Sequence, residues 1–103
     1  MKCEFVSFDD GIISKVIIEV GKIFINEGKE EQVLEIDSKT CFNTLISLFS
    51  LKEKWKKEEI INPVYKVCFE MNGKIDVFEF DVDVPENWGF FMAYISRLVG
   101  EYL

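Results

Sequence analysis

Residues 64–80 read VYKVCFEMNGKIDVFEF, two alternating apolar and polar runs joined by Asn72 and Gly73. A two-residue hairpin turn with both central residues at positive φ prefers this pair, so the stretch predicts a β-hairpin with a type I′ turn. Pairing outward from the turn sets Met71 opposite Lys74, Phe69 opposite Asp76, Val67 opposite Phe78 and Tyr65 opposite Phe80, all on one face. The other face carries Glu70 with Ile75, Cys68 with Val77, Lys66 with Glu79 and Val64 with Asp81. A one-residue slip would set aromatics against acids along the whole length, so the two runs fix each other's register. The face bearing Tyr65, Val67, Phe69, Phe78 and Phe80 is predicted to be core.

Upstream, FVSFDDGIISKVIIEVGKIFINEGKEEQVLEI is rich in β-branched residues and interrupted by turn residues at Asp10-Gly11, Gly21 and Glu27-Gly28-Lys29. The pattern predicts strands near 2–8, 12–20, 22–26 and 31–36 in an antiparallel meander, with Gly21 either a turn or a bulge. Two helices follow from the 3.6-residue spacing. One runs from a cap at Asp37 or Ser38 through Cys41, Phe42, Leu45, Ile46, Leu48 and Phe49 toward Trp55. The other follows Pro85 and carries Trp88, Phe91, Tyr94, Ile95, Leu98, Val99 and Tyr102 on one stripe. The order ββββ-α-ββ-α predicts an α+β domain spanning residues 1–103, with an antiparallel sheet of five to six strands and both helices on one face. The second sheet face is expected to stay partly solvated.

The 103 residues suffice for one core, and 49% apolar and 30% charged residues describe a soluble globular chain rather than a disordered one. The most apolar stretch, CFNTLISLFSL, carries polar residues at intervals and is about half of what a membrane span needs, and the segment MKCEFVSFDDG has no secretory core; a cytoplasmic protein off the membrane is expected. Cys3, Cys41 and Cys68 are odd in number and too far apart for a metal knuckle, which points to packed thiols in a reducing compartment.

No histidine is present, which removes Ser-His-Asp and Cys-His catalysis and His-ligated zinc. Glycine-rich phosphate loops and nucleophile elbows are also missing. The expectation is a non-enzymatic protein with no cofactor. The net charge of −7 disfavours direct nucleic-acid binding, because phosphate contacts are made by Lys and Arg, and it favours a basic partner.

Acids cluster in two places. Asp9 and Asp10, before Gly11, read as turn residues. In FEFDVDV, Glu79, Asp81 and Asp83 alternate with Phe78, Phe80, Val82 and Val84; on a continuing strand the apolar set would face inward and the carboxylates would share the outer face. Same-side neighbours on a strand stand about 7 Å apart, too far for two of them to hold a divalent ion without ligands from elsewhere. A solvated strand face and a binding face both fit, and repulsion between stacked like charges is a cost that a basic partner would relieve. The basic stretch KEKWKK, residues 52–57, reads as a helix end with Trp55 covering the core edge rather than as a nucleic-acid patch.

The segment from Val64 to Leu98 resembles small bacterial proteins encoded beside polymorphic or contact-dependent toxins. In these an Asn-Gly hairpin leads into Pro-x-Asn-Trp or Pro-x-Asn-Phe and a closing aromatic helix. The matching positions are Asn72, Gly73, Pro85, Asn87, Trp88 and Phe91. The resemblance implies an immunity protein, a cytoplasmic neutraliser of a cognate toxin that is often a nuclease with a basic cleft. Candidate partner-binding residues are then Glu79, Asp81 and Asp83, with Glu70 on the same hairpin face. Two other readings stand beside it: a phage-type or regulatory inhibitor of a nucleic-acid enzyme, and a self-associating domain with Val64, Cys68, Ile75 and Val77 at a homodimer contact.

Overall fold

The computed structural model describes residues 1–9, 12–28 and 30–102. The Asp10-Gly11 turn and Lys29 lie outside the described residues. Six strands, β1 (Lys2–Asp9), β2 (Ile12–Glu19), β3 (Lys22–Glu27), β4 (Glu30–Glu35), β5 (Tyr65–Met71) and β6 (Lys74–Phe80), form one antiparallel sheet in the order β4-β3-β2-β1-β5-β6. Helices α1 (Ser38–Leu51) and α2 (Trp88–Tyr102) complete the expected ββββ-α-ββ-α order. Neither described helix is long and apolar enough to cross a membrane.

The central hairpin has the register expected of it, from Met71 with Lys74 out to Tyr65 with Phe80. Its turn residues adopt left-handed φ of 53° at Asn72 and 79° at Gly73, a pair that Asn and Gly accept with little steric cost. Gly21, at φ 93°, closes a β2-β3 turn rather than a bulge. β1, the first strand of the meander, lies between β2 and the hairpin strand β5, setting Cys3 beside Ile18 and Phe69, and Phe5 beside Val16 and Val67. One sheet face therefore collects Cys3, Phe5, Ile18, Ile23, Val67, Phe69, Phe78 and Phe80, all buried beneath the helices.

Helix α1 starts where the Asp37 carboxylate accepts the Thr40 amide at 3.0 Å, which also holds the Asp37 pKa below its usual value, with help from the Thr40 hydroxyl. It buries Cys41, Leu45 and Leu48. Phe42 and Ile46, expected in the same stripe, are exposed, because α1 is covered by the sheet and α2 on one side only. Helix α2 buries Trp88, Phe91, Ile95 and Leu98. Phe49 meets Phe69 edge-on at 5.0 Å and Phe91 meets Phe5 at 6.0 Å, so both helices press on the aromatic face of the sheet.

A second expectation fails at the end of β6. Strand β6 stops at Phe80, and Val82 points into solvent instead of extending the core. The last ladder bond runs from the Val64 amide to the Phe80 carbonyl at 2.8 Å. Before Val64 comes Pro63, which has no N–H to continue the ladder, and Asn62 at φ 58° turns the partner chain away. Beyond Phe80 the Asp81 carboxylate accepts the Asp83 amide at 2.8 Å, a local turn that replaces strand pairing.

Candidate functional site: an acidic cleft at the end of β6

Trp55 fixes the geometry of this end of the molecule. The residues after α1 tighten into a 3-10 turn, Lys52–Lys54, and the chain then becomes extended at Trp55. Its indole sits among Phe69, Phe78, Phe80, Trp88 and Phe91 with centroids 5.1 to 5.7 Å away. The indole N–H donates to Asn87 Oδ1 at 2.7 Å, and Asn87 Nδ2 donates to the Leu51 carbonyl at 3.0 Å. Asn87 thus ties the end of α1 to the start of α2, while its own carbonyl accepts the Phe90 and Phe91 amides. The sequence expectation that Trp55 covers the core edge understated its role, since it is the hub of the aromatic cluster.

The flanking lysines are equally structural. Lys52 and Lys57 reach back to the two oxygens of Asp76, at 2.8 and 2.5 Å. Asp76 sits on the inward face of β6, opposite Phe69, and is 9% exposed. A buried carboxylate needs such partners, and the hydrogen bonds from Lys52 and then Lys57 hold its pKa down to about 2. The signal for this clamp was present in the hairpin register, which sets a carboxylate on the core face, but its cations come from 24 and 19 residues upstream. An inward charge on an edge strand also discourages a further strand from adding there.

Between the Lys54–Ile60 segment and the Glu79–Asn87 segment opens a cleft of about 580 Å³. Glu58, Glu79, Asp81, Asp83 and Glu86 line it, against Lys54 and Lys56; Trp55, Phe80, Val84 and Pro85 supply apolar wall. Among the described residues, none of these five carboxylates forms an ion pair. The expected grouping of Glu79, Asp81 and Asp83 holds, but through a turn rather than one strand face. Only Glu79 belongs to β6, paired with Lys66. Glu58 and Glu86 join them although sequence reasoning did not single them out; their chain positions give no hint without the fold of Trp55 onto Asn87.

Glu70 does not belong to this site. It pairs with Ile75 near the hairpin turn, four residues along from the Lys66 and Glu79 pair, hence about 14 Å away at about 3.4 Å per residue. There it lines a separate shallow depression with Lys2, Glu19 and Met71. The shared hairpin face is real, yet a strand is long enough to separate its two ends.

No group of three or more potential metal ligands occurs among the described residues. Cys3 and Cys41 are buried and Cys68 is half-buried; burial is the first cause raising each thiol's pKa, which leaves all three protonated and poorly nucleophilic near neutrality. What this end presents is negative charge beside apolar walls. Comparison with protein-family models, with curated proteins and with solved structures finds no match to this chain.

Proposed function

We propose that this chain is a non-enzymatic inhibitor that binds a basic protein partner through the cleft at the end of β6, in the manner of an immunity protein neutralising a toxin, with a nuclease the preferred class. The observation that carries the proposal is the convergence of Glu58, Glu79, Asp81, Asp83 and Glu86 on one open cleft, with no compensating ion pair among the described residues. Carboxylates arranged this way can stand where substrate phosphates would lie in a cationic active site, and complementary charge raises the rate of capture. The engagement of Lys52 and Lys57 by Asp76 supports the same reading, because of the four lysines of residues 52–57 only Lys54 and Lys56 then line the cleft.

The test is capture of binding proteins from the source cells on the immobilised chain, followed by assay of whether the chain inhibits what it captures. A basic protein should be recovered, its activity should be suppressed, and its affinity should fall steeply with salt. The triple variant Glu79→Lys, Asp81→Lys, Asp83→Lys should lose inhibition while Glu70→Lys keeps it. Equal inhibition by the triple variant would overturn the proposal.

A further inference from the structure

The most exposed large apolar side chains among the described residues are Ile61 at 92%, Val82 at 81% and Phe90 at 67%. Val82 lies within a segment that bounds the acidic cleft, and Ile61 and Phe90 lie one and three residues beyond such segments. Ile61 follows the lining residue Ile60; Val82 stands between the lining residues Asp81 and Asp83; Phe90 is in the first turn of α2, three residues after the lining residue Asn87. The bond from Val64 to the Phe80 carbonyl brings the first two segments together, with Ile61 three residues before it and Val82 two residues after. None of these side chains has a folding role: Val82 is off the sheet, Ile61 precedes the Asn62 turn, and Phe90 faces away from the core stripe of α2.

Single exposed apolar residues are ordinary, but three of them in or within three residues of the stretches that line one charged cleft bring together the two components of a protein contact, apolar area and charge. Resting on the inhibitor reading above, we infer that Ile61, Val82 and Phe90, with Val84 on the cleft wall, form the apolar part of the docking surface. The partner is then a basic protein whose contact segment interleaves apolar side chains with Arg or Lys. Charge complementarity selects this occupant over a second copy of the chain, since two copies with net charge −7 would bring like-charged clefts together. A purely ionic ligand such as a polycation would leave the exposed valine, isoleucine and phenylalanine uncovered.

Division of labour follows from the physics of each contact. Exposed carboxylates steer approach and make binding salt-sensitive, whereas buried apolar contacts set how long the complex lasts. Covering one Val or Leu side chain contributes about 1.5–3 kcal/mol, equivalent to about ten- to a hundredfold in affinity.

Three short synthetic peptides of equal length test this by titration with amide chemical-shift mapping: alternating Arg and Leu, alternating Arg and Ser, and alternating Glu and Leu. The Arg-Leu peptide should bind saturably with shifts centred on residues 58–61 and 79–90, at least about tenfold tighter than Arg-Ser, and Glu-Leu should not bind there. The double variant Ile61→Ser, Val82→Ser, exposed enough to leave the fold intact, should cut the advantage of Arg-Leu over Arg-Ser severalfold. If Arg-Ser binds at the cleft as tightly as Arg-Leu, the apolar contact is refuted while the acidic reading stands. If neither arginine peptide binds at the cleft, both fall. If Arg-Leu maps elsewhere, or keeps its full advantage in the double variant, the assigned surface is wrong.

Discussion

Replacing Asp76 by Asn should destabilise the fold near neutrality and make its stability less sensitive to acid. Asp76 is nearly enclosed and accepts from Lys52 and Lys57, which hold its pKa at about 2 against an ordinary 3.8. At about 1.4 kcal/mol per pH unit that difference corresponds to about 2 kcal/mol. Part of it is screened, because the Lys57 side chain is 57% exposed, and Asn can still accept one hydrogen bond; the expected loss at pH 7 is about 1–2 kcal/mol. For a domain of this size that is a fall of roughly 5–15 °C in melting temperature. Because the folded-state pKa lies below the unfolded one, the carboxylate's contribution is complete above about pH 4 and is lost as pH falls through about 2. The assay is urea unfolding of wild type and Asp76→Asn at pH 7 and at steps from 4 to 2, compared as differences so that carboxylates common to both cancel. The wild-type advantage should shrink toward zero across the acid window. A difference below about 0.5 kcal/mol at pH 7, within the range of ordinary surface substitutions, would refute the clamp, as would one independent of pH between 4 and 2.

Asn87→Ala should cost about 1–3 kcal/mol in chemical denaturation, since it strands the Trp55 indole N–H and the Leu51 carbonyl together. Asn87→Asp, which keeps the acceptor for the indole and loses the donor, should lose less; equal losses would count against the bridge. At the glycines, Gly73→Ala should destabilise by about 1 kcal/mol, because φ is 79° although a Cβ would meet nothing within 4 Å, while Gly89→Ala, in open space at the start of α2, should stabilise by about 0.5–1 kcal/mol. Unfolding curves that place the two alanine variants on the same side of wild type would contradict the backbone geometry at one of the two sites.

The hairpin was legible to the residue because its two strands are independently patterned and the Asn72-Gly73 turn counts the register. The four-strand meander was legible to within a residue or two at strand ends, because Gly21 and Gly28 mark turns between β-branched runs. Helix faces were read less well. Spacing placed Phe42 and Ile46 with Cys41 and Leu45, but only a map of which neighbours exist tells that α1 lacks cover on that side. At the candidate site, periodicity set Glu79 opposite Lys66 and Glu70 opposite Ile75, as found, but sharing a face says nothing about distance along the strand, and Glu70 lies apart from the cleft. The Asp76 clamp and the contributions of Glu58 and Glu86 depend on contacts between segments far apart in sequence, which no local pattern encodes.

The most informative misreading is Val82. Alternation in FEFDVDV continues past the point where pairing is physically possible, because Pro63 ends the partner strand's donors and Asp81 captures the Asp83 amide. A valine that keeps a strand's pattern without a strand's environment contributes nothing to the core, and the same holds for Ile61 and Phe90. The exposed Ile75 and Val77 on β6 differ, since a paired strand accounts for them: β-branched residues suit a pleated, half-covered face. Apolar side chains that no element requires therefore mark this end of the molecule apart from the sheet face. The clamp engages Lys52 and Lys57 with Asp76, and of that stretch's lysines only Lys54 and Lys56 face the five cleft carboxylates. Fold and proposed function meet in Asp76, which stabilises the edge of the sheet and, by the same two contacts, holds Lys52 and Lys57 off the cleft lining.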